Sequence, residues 1–418
     1  MVHQTIATST SKAPKASSRM THMPVSPACS RWRLRASAAI LGTLLGCSSV
    51  PLPPLAPPRS ATEAPQLPPS PGADGPLASA PDGVVQRARG RWVPARWSDL
   101  PGWDSDRAAE LWPALLRGCE RPAPGWAALC AEARAAGFEL VSDDATRAWL
   151  AQRLRPFRVE STEGASEGLI TGYFEPLIEA SRTPSAAFRV PLYGLPADLA
   201  TRRPYWTRQQ LDTLAAAQQG LRGRELAYVA DPLDALILQI QGSGRLALTG
   251  PDGSRRQVRM AFAGHNDLPY KSVGRWLIEQ GELRADQASW PGIKAWARQN
   301  PRRINELLWS NPRVVFFREE PLPDPQLGPR GAQSVPLTPG RSIAVDPQSI
   351  PYGTPVWLDT TEPLGSRPLR RVVMAQDTGS AITGAVRADY FWGWGDSAEA
   401  QAGRMKQPLR MWVLLPRS

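Results

Sequence analysis

A proline-rich segment separates a short leader from the long remainder of this 418-residue chain. Residues 48–83 contain 11 prolines in 36 positions, and alanine, serine and glycine fill most of the others. Proline fixes its own φ angle and lacks a backbone N–H, so such a segment cannot bury a core and favours extended polyproline II. We predict that residues 47–83 form a linker, which at ~3.1 Å per residue reaches on the order of 100 Å. A merely disordered segment is the alternative.

The leader before this linker is typical of an export signal. Residues 1–46 carry six basic residues and no acid, and they end in the apolar stretch 36–46. That stretch is shorter than the ~20 residues that span a bilayer, which predicts a signal peptide. Leu44-Leu-Gly-Cys47 resembles the bacterial lipobox, so we predict that Cys47 is diacylated and anchors the chain in the membrane. A plain signal peptide or a chance cysteine is the alternative. By resemblance to lipoprotein sorting, Ser48 favours the periplasmic face of a Gram-negative outer membrane.

Charge and histidine content narrow the chemistry. The formal net charge is +11, and the six basic residues of the leader account for more than half of it. The remainder has an ordinary balance and no nucleic-acid-binding module, so we expect no nucleic acid partner. His265 is the only histidine beyond the leader. A histidine-cluster metal site is therefore excluded, and a Ser-His-Asp or Cys-His arrangement would need His265 as its base. We expect carboxylates to perform any catalysis.

Beyond the linker the residue pattern changes. Residues 84–170 are rich in amphipathic segments, which predicts a mostly helical part. From residue 313 onward short apolar runs alternate with proline and glycine, which indicates a small barrel of strands separated by loops. Cys119 and Cys130 flank a Pro/Gly turn between two predicted helices, and an exported chain permits oxidation. We predict a disulfide between them, with two buried thiols as the alternative.

Three aspartates in the C-terminal part are candidates for chemistry. Asp346 and Asp377 each follow an apolar strand, where a loop can present a catalytic group on a rigid support. A flanking aromatic cluster, Tyr390, Phe391, Trp392 and Trp394, could desolvate a carboxyl and raise its pKa, as a general acid requires. For Asp389, which directly precedes this cluster, a supporting role is preferred. For each aspartate taken alone, capping or turn hydrogen bonding is the alternative. Gly379, two residues after Asp377, permits close approach of a ligand.

Six motifs occur in order along the chain. They are Thr171-Gly-Tyr-Phe-Glu-Pro176, Ile240-Gln-Gly-Ser-Gly-Arg-Leu246, Tyr270-Lys-Ser-Val-Gly274, Asn311-Pro-Arg-Val-Val-Phe-Phe317, Gly331-Ala-Gln-Ser-Val-Pro-Leu-Thr-Pro-Gly-Arg-Ser-Ile-Ala-Val-Asp346 and Gln376-Asp-Thr-Gly-Ser-Ala-Ile-Thr-Gly384. Each motif alone is weak. Together they resemble the membrane-bound lytic murein transglycosylase A family, whose C-terminal part is known as the three-aspartate domain. The resemblance covers roughly residues 90–415.

The resemblance implies an α+β fold that is mainly β. A double-psi β-barrel domain would be assembled from residues 84–170 and 311–418, a β-rich domain of residues 171–310 would be inserted between them, and a substrate groove would separate the two. Asp377 would be the catalytic residue, with Asp346 and Asp389 as supporting carboxylates. Further residues would contact the substrate, with turn and fold structure as the alternative: Thr171, Tyr173, Gln241, Ser243, Lys271 and Gly379. No metal or cofactor is implied.

The resemblance also implies a reaction. The β-1,4 bond between N-acetylmuramic acid and N-acetylglucosamine in peptidoglycan would be cleaved with one carboxyl group. Protonated Asp377 would donate to the glycosidic oxygen and then accept the proton of the muramic 6-hydroxyl, which closes a 1,6-anhydro ring within the same sugar. The implied partners are peptidoglycan glycan strands and cell-wall synthesis proteins, and the chain would be a monomer.

Two other functions are compatible with the sequence. Asp377-Thr-Gly matches the active-site string of aspartic proteases, but that chemistry needs two carboxylates that share a proton. The chain contains no second Asp-Thr-Gly or Asp-Ser-Gly. A non-catalytic wall-binding lipoprotein, whose groove binds glycan without cleaving it, is the other alternative.

Overall fold

The structure is a computed structural model that describes residues 83–137, 142–250 and 253–417. The predicted signal peptide, Cys47 and the proline-rich linker lie outside these described residues. Strands β1 to β15 are, in chain order, Val85–Arg87, Gly90–Pro94, Leu154–Glu160, Gly168–Glu175, Leu177–Ser181, Val190–Tyr193, Glu225–Val229, Gly244–Thr249, Arg255–His265, Val315–Pro321, Ser342–Val345, Pro355–Thr361, Pro368–Asp377, Arg387–Trp394 and Lys406–Pro416. Helices α1 to α10 are Trp112–Gly118, Ala127–Ala136, Asp143–Arg153, Arg208–Thr213, Ala215–Gln219, Pro232–Gln241, Val273–Glu279, Trp290–Gln299, Ile304–Trp309 and Asp396–Ala402. Within the described ranges, every helix is too short or too polar to cross a membrane.

Six strands close into a barrel. Nine strands form one sheet in the order β1-β2-β3-β15-β12-β13-β11-β14-β4, and β4 also pairs with β15. The part of the sheet from β15 to β4 therefore closes on itself. In this barrel β11 is parallel to β13 and β14 is parallel to β4, while the other pairs are antiparallel. Alternate side chains point inward and form an apolar core that includes Ile170, Ile343, Val345, Val356, Val373, Ala388, Met405, Leu409 and Val413.

The other strands form a second sheet in the order β10-β9-β8-β5-β7-β6. Its core contains Ile178, Val229, Leu246, Met260 and Phe317. Helices α6 to α9 enclose a further apolar cluster that includes Leu236, Leu277, Trp296 and Leu307. The chain enters this part once and leaves it once, so the barrel is assembled from residues that precede and follow it.

The crossings between barrel and second sheet differ from the predicted boundaries. The chain leaves the barrel between Glu175 and Leu177 and returns between Pro321 and Ser342. Both crossings lie C-terminal to the predicted positions at 171 and 310. The prediction that the barrel strands begin at residue 313 is wrong, because the first strand after that point, β10, pairs with β9 in the second sheet. An apolar run indicates a strand, but it does not indicate which neighbour completes its hydrogen bonds.

The N-terminal part contains more strand than its residue pattern predicts. Besides α1 to α3 it contributes β1, β2 and β3, which extend the barrel sheet beyond β15. The helices pack on the outside of the barrel through an apolar cluster that includes Trp103, Trp112, Trp149, Trp357 and Trp412. Cys119, at the end of α1, forms a disulfide with Cys130 in α2.

A buried ion cluster joins the barrel to the second sheet. Glu175, the last residue of β4, has no solvent exposure. Its carboxylate accepts from Nε of Arg245 at 2.7 Å and from Nε of Arg259 at 2.5 Å. Both guanidinium groups also donate to the carbonyl of Leu327, in the segment that returns to the barrel. Since each charge has close partners, the cluster fixes the relation of β4 to the second sheet.

Candidate active site

Strand pairing aligns two of the three candidate aspartates, Asp389 and Asp377, laterally across neighbouring strands of the barrel. We call this pair of side chains the carboxyl row. Thr171 on β4 pairs with Asp389 on β14. Asp389 pairs in turn with Ala344 on β11, and Ala344 pairs with Asp377 at the end of β13. Ala344 stands between the two aspartates, and its single methyl group leaves room for both carboxyl groups. The row depends on strands that are far apart in the sequence.

Asp377 is a partly buried carboxyl with two partners on other segments. The backbone N–H of Ala332 donates to Oδ1 at 3.0 Å, and the hydroxyl of Tyr173 donates to Oδ2 at 3.0 Å. Burial raises the pKa of Asp377 to about 6, although the N–H of Thr378 and these two hydrogen bonds lower it. A carboxyl with a pKa near the working pH can donate a proton and take one back.

Asp389 is the second carboxyl of the row. Its Oδ1 accepts from the hydroxyl of Thr171 at 2.6 Å, and Nη2 of Arg387 donates to the same Thr171 oxygen at 3.0 Å. Burial raises the pKa of Asp389 to about 6, and the negative charge of Asp377 contributes to the increase, while Thr171 and Arg387 oppose it. The two carboxyl groups are thus electrostatically coupled.

Tyr173 lies close to both carboxyl groups. Burial raises the pKa of its hydroxyl well above the usual value, and the charges of Asp377 and Asp389 raise it further. Its ring packs against Phe391, with the ring centroids 5.2 Å apart. Thr171 and Tyr173 lie two residues apart on β4, so their side chains project from the same face of the strand. Because the pKa of its hydroxyl is raised, Tyr173 is a neutral hydrogen-bond donor to Asp377.

Asp346 has a different environment from the other two aspartates. It is only 4% exposed, and its carboxylate accepts from the backbone N–H groups of Gln348 at 3.0 Å and Gly384 at 2.8 Å. Nη1 of Arg89 also donates to it, at 3.2 Å. The bond from Gly384 connects Asp346 to the end of the loop that begins at Asp377.

A cavity of about 360 Å³ adjoins the carboxyl row. Thr171 lines it, whereas Asp377 does not, so the cavity lies beside the carboxyl of Asp377 and does not contain it. The lining side chains are uncharged and combine hydroxyl, amide and aromatic groups: Thr171, Phe174, Gln241, Tyr270, Ser272, Ser289 and Trp290. Oε1 of Gln241 accepts from the N–H of Phe174 at 3.1 Å, so this side chain also fixes the end of α6 against β4.

The other predicted contact residues, Ser243, Lys271 and Gly379, do not line the cavity. Ser243 follows the C-cap of α6, where Gly242 adopts φ 80°, and it is partly buried. Lys271 is exposed, and its backbone N–H donates to Asn311 at 3.2 Å. Gly379 forms a turn in which its carbonyl accepts from the N–H of Ile382 at 2.8 Å. The structure thus brings together Asp377, Asp389, Thr171 and Tyr173, whereas Ser243, Lys271 and Gly379 lie outside this group and outside the cavity lining.

The sequence reasoning missed two groups of the site. Arg387 lies two residues before Asp389 on β14, and strand alternation, which places both on one face, could have identified it. The N–H of Ala332 carries no side-chain signal. It reaches Asp377 because the loop before β11 is fixed by the N–H of Gln333, which donates to the carbonyl of Gln376 at 3.0 Å.

Two family models match the chain. Residues 169–318 match the model described as "MltA specific insert domain", and residues 341–415 match the model described as "3D domain". The first match covers the second sheet with its helices, and the second covers β11 to β14 and most of β15. Together with the closed barrel, these matches confirm the predicted α+β fold with a double-psi barrel.

Individual proteins that match the chain in sequence or in structure point to the same family as these two models. The chain is 34% identical over 255 residues to membrane-bound lytic murein transglycosylase A of Vibrio cholerae, a match that covers 59% of this chain and 65% of that protein. The structure of the lytic transglycosylase LtgG of Burkholderia pseudomallei is 46% identical with a TM-score of 0.58, and the match covers 82% of this chain and 100% of that one. The structure of MltA from Neisseria gonorrhoeae is 32% identical with a TM-score of 0.69, and the match covers 82% of this chain and 98% of that one. The chain therefore belongs to the membrane-bound lytic murein transglycosylase A family.

Proposed function

We propose that this chain is a peptidoglycan lytic transglycosylase. It cleaves the β-1,4 bond between N-acetylmuramic acid and N-acetylglucosamine and leaves a 1,6-anhydro ring on the muramic residue. Membership of the family supports this activity. The observation that carries the proposal is the partly buried carboxyl of Asp377, with a pKa raised to about 6 and hydrogen bonds to both oxygens.

Asp377 acts first as the acid and then as the base. Its proton passes to the glycosidic oxygen as the bond to the anomeric carbon breaks. The carboxylate then accepts the proton of the 6-hydroxyl of the same muramic ring, while that oxygen bonds to the anomeric carbon. One group can serve both steps because it loses one proton in the first step and regains one proton in the second, which returns it to its starting state. The intramolecular attack benefits from high effective molarity.

The residues around Asp377 support both protonation states. Burial favours the neutral acid before cleavage. The donors Tyr173 and Ala332 then stabilise the carboxylate that remains. Asp389 places a second carboxyl near the positive charge that develops on the sugar ring, and Thr171 and Arg387 orient it. Asp346 maintains the loop after Asp377.

The two alternative functions fit this site less well. In an aspartic protease a second Asp-Thr-Gly turn supplies the partner carboxyl. Here the carboxyl next to Asp377 is Asp389, which lies within strand β14 and is bonded to Thr171. A binding protein without catalysis would not need a carboxyl with a raised pKa at this position.

Digestion of purified peptidoglycan tests the proposal. We expect the wild-type chain to release soluble muropeptides with 1,6-anhydro ends, detected by mass spectrometry. Asp377→Ala should release none but still sediment with the cell-wall sacculus. Asp286→Ala, which replaces an exposed aspartate far from the barrel in sequence, serves as the matched control and should cleave normally. Products with ordinary reducing ends would show that water is the acceptor, and new peptide termini would indicate a protease.

We also propose the cellular setting. Diacylation of Cys47 anchors the chain in the outer membrane, and the segment 48–83 lets the barrel reach peptidoglycan in the periplasm. Metabolic labelling with a fatty acid tests the anchor. We expect label on the wild-type chain and none on Cys47→Ala, and equal labelling of both would refute this site.

A further inference from the structure

Three exposed cations are neighbours, by strand pairing or in the sequence, of residues that line the cavity beside the carboxyl row. Lys406 on β15 pairs directly with Thr171 on β4, which lines the cavity. Its neighbours Met405 and Leu409 belong to the barrel core. Because side chains alternate along a strand, Lys406 projects outward on the side where Thr171 contacts Asp389. It is exposed to solvent.

The other two cations adjoin cavity-lining residues in the sequence. Arg404 follows Gly403, and Lys271 lies between Tyr270 and Ser272. Both side chains are exposed. We call Lys271, Arg404 and Lys406 the cationic rim. Among the residues that the structure describes, no carboxylate forms an ion pair with any member of this rim.

Acids at α6 and α10, the helices whose ends line the cavity, act on Lys294. Asp234 on α6 forms an ion pair with Lys294 on α8 at 3.0 Å. Glu399 on α10 acts on the same lysine, as does Asp231. The lining of the cavity itself contains no charged side chain. The rim thus presents unpaired positive charge next to a neutral, partly aromatic cavity.

We propose that the cationic rim binds the carboxylates of the peptide stems that the glycan strand carries, while the neutral cavity receives the attached sugar. This inference rests on the proposed function, since it names the part of that substrate which the rim recognises. Its argument is chemical. The amino sugars of the strand are N-acetylated and neutral, and the muramic lactyl group is joined to the stem through an amide. Negative charge in this substrate therefore resides on the peptide, and exposed lysine and arginine side chains attract carboxylates.

Binding measurements separate this inference from the catalytic proposal. Asp377→Asn protein, which should not cleave, is titrated with fluorescent glycan strands that bear stems and with strands of β-1,4-linked N-acetylglucosamine. The second strands are neutral, whereas removal of stems by an amidase would leave a lactyl carboxylate on each muramic residue. We expect tighter binding to the stem-bearing strands, and a smaller difference at high salt because salt screens exposed charges. Combining Asp377→Asn with Arg404→Glu and Lys406→Glu should weaken binding to stem-bearing strands roughly five- to tenfold. Binding to the neutral N-acetylglucosamine strands should change by less than about twofold.

Two further variants complete the experiment. Arg404→Lys with Lys406→Arg preserves charge and should preserve the preference for stems. Arg222→Glu replaces an exposed cation near the second sheet and should leave both affinities unchanged. Equal affinity of the starting protein for both strands, or equal loss on both in the charge-reversed variant, would overturn the inference. Failure of the wild-type chain to form 1,6-anhydro products would instead reject the proposed function, because these binding measurements do not depend on cleavage.

Discussion

Replacing Asp377 by asparagine should abolish catalysis and stabilise the fold. Burial raises the pKa of this carboxyl from the usual 3.8 to about 6. Between these values the folded protein binds a proton that the unfolded chain has released, so the wild-type chain loses stability as pH rises from about 4 to about 6. Above that range the folded state contains an ionised carboxylate in a partly buried position. Asparagine is neutral and removes this cost.

The size of the effect follows from the pKa. Each tenfold change in proton affinity corresponds to about 1.4 kcal/mol, so a rise from 3.8 to about 6 amounts to about 3 kcal/mol. Because the side chain retains some contact with solvent, we expect a gain of about 1–3 kcal/mol in the free energy of unfolding at about pH 7.5 and little change at about pH 4. Asparagine can preserve the local geometry, since its oxygen accepts from Ala332 and its amide group donates to Tyr173.

Urea unfolding of the full chain at both pH values measures the difference. Asp346→Asn is the matched control in the same barrel. The carboxylate of Asp346 accepts from two backbone N–H groups and from Arg89. An asparagine side chain cannot satisfy all three donors, so this variant should lose about 1–3 kcal/mol. If Asp377→Asn were less stable than the wild type at about pH 7.5, or differed from it equally at both pH values, our account of this carboxyl would be refuted.

Three more perturbations test the site and the fold. The rate of release of 1,6-anhydro muropeptides should fall about tenfold for each pH unit above about 6, because the acid form of Asp377 is required; a rate that does not change up to pH 8 would exclude Asp377 as the acid. Tyr173→Phe removes a hydrogen bond that lowers the pKa of Asp377, so the pH above which the rate falls should rise by up to about one unit. A decrease in that pH would contradict the contact between Tyr173 and Asp377. Glu175→Gln leaves two buried guanidinium groups without their carboxylate and should lower the free energy of unfolding in urea by about 3–5 kcal/mol. The control Glu179→Gln, in an exposed pair, should lower it by less than about 1 kcal/mol. Similar losses in the two variants would refute a structural role for the buried cluster.

Local patterns predict some elements of the fold correctly and others wrongly. The apolar run of β10 indicates a strand, and the structure contains one at Val315–Pro321. Its placement in the barrel was nevertheless wrong, since the partner of β10 is β9. Strands β1 to β3 were missed within a part predicted to be mostly helical. Their hydrogen bonds come from one another and from β15, which lies at the other end of the chain.

The candidate site likewise combines features that the sequence predicts with features that it cannot predict. The sequence singled out Asp346, Asp377 and Asp389 as candidates, because each lies beside an apolar or aromatic strand. It could not distinguish their environments, which depend on contacts between distant segments. In the structure Asp389 shares the row of Asp377, whereas Asp346 accepts from a loop backbone. The roles assigned to these residues remain predictions that the experiments above test.

The amino-acid sequence alone determined the properties that depend on composition and local order. These are the high proline content of residues 48–83, the shortage of histidine, and the ordered motifs that identify the family. The tertiary structure decided which groups meet. Closure of the barrel through β4 and β15 sets the strand register, and that register places Asp389, Thr171 and Tyr173 next to Asp377. Register and burial arise from pairing between remote strands, so no local pattern specifies the contacts that raise the pKa of Asp377.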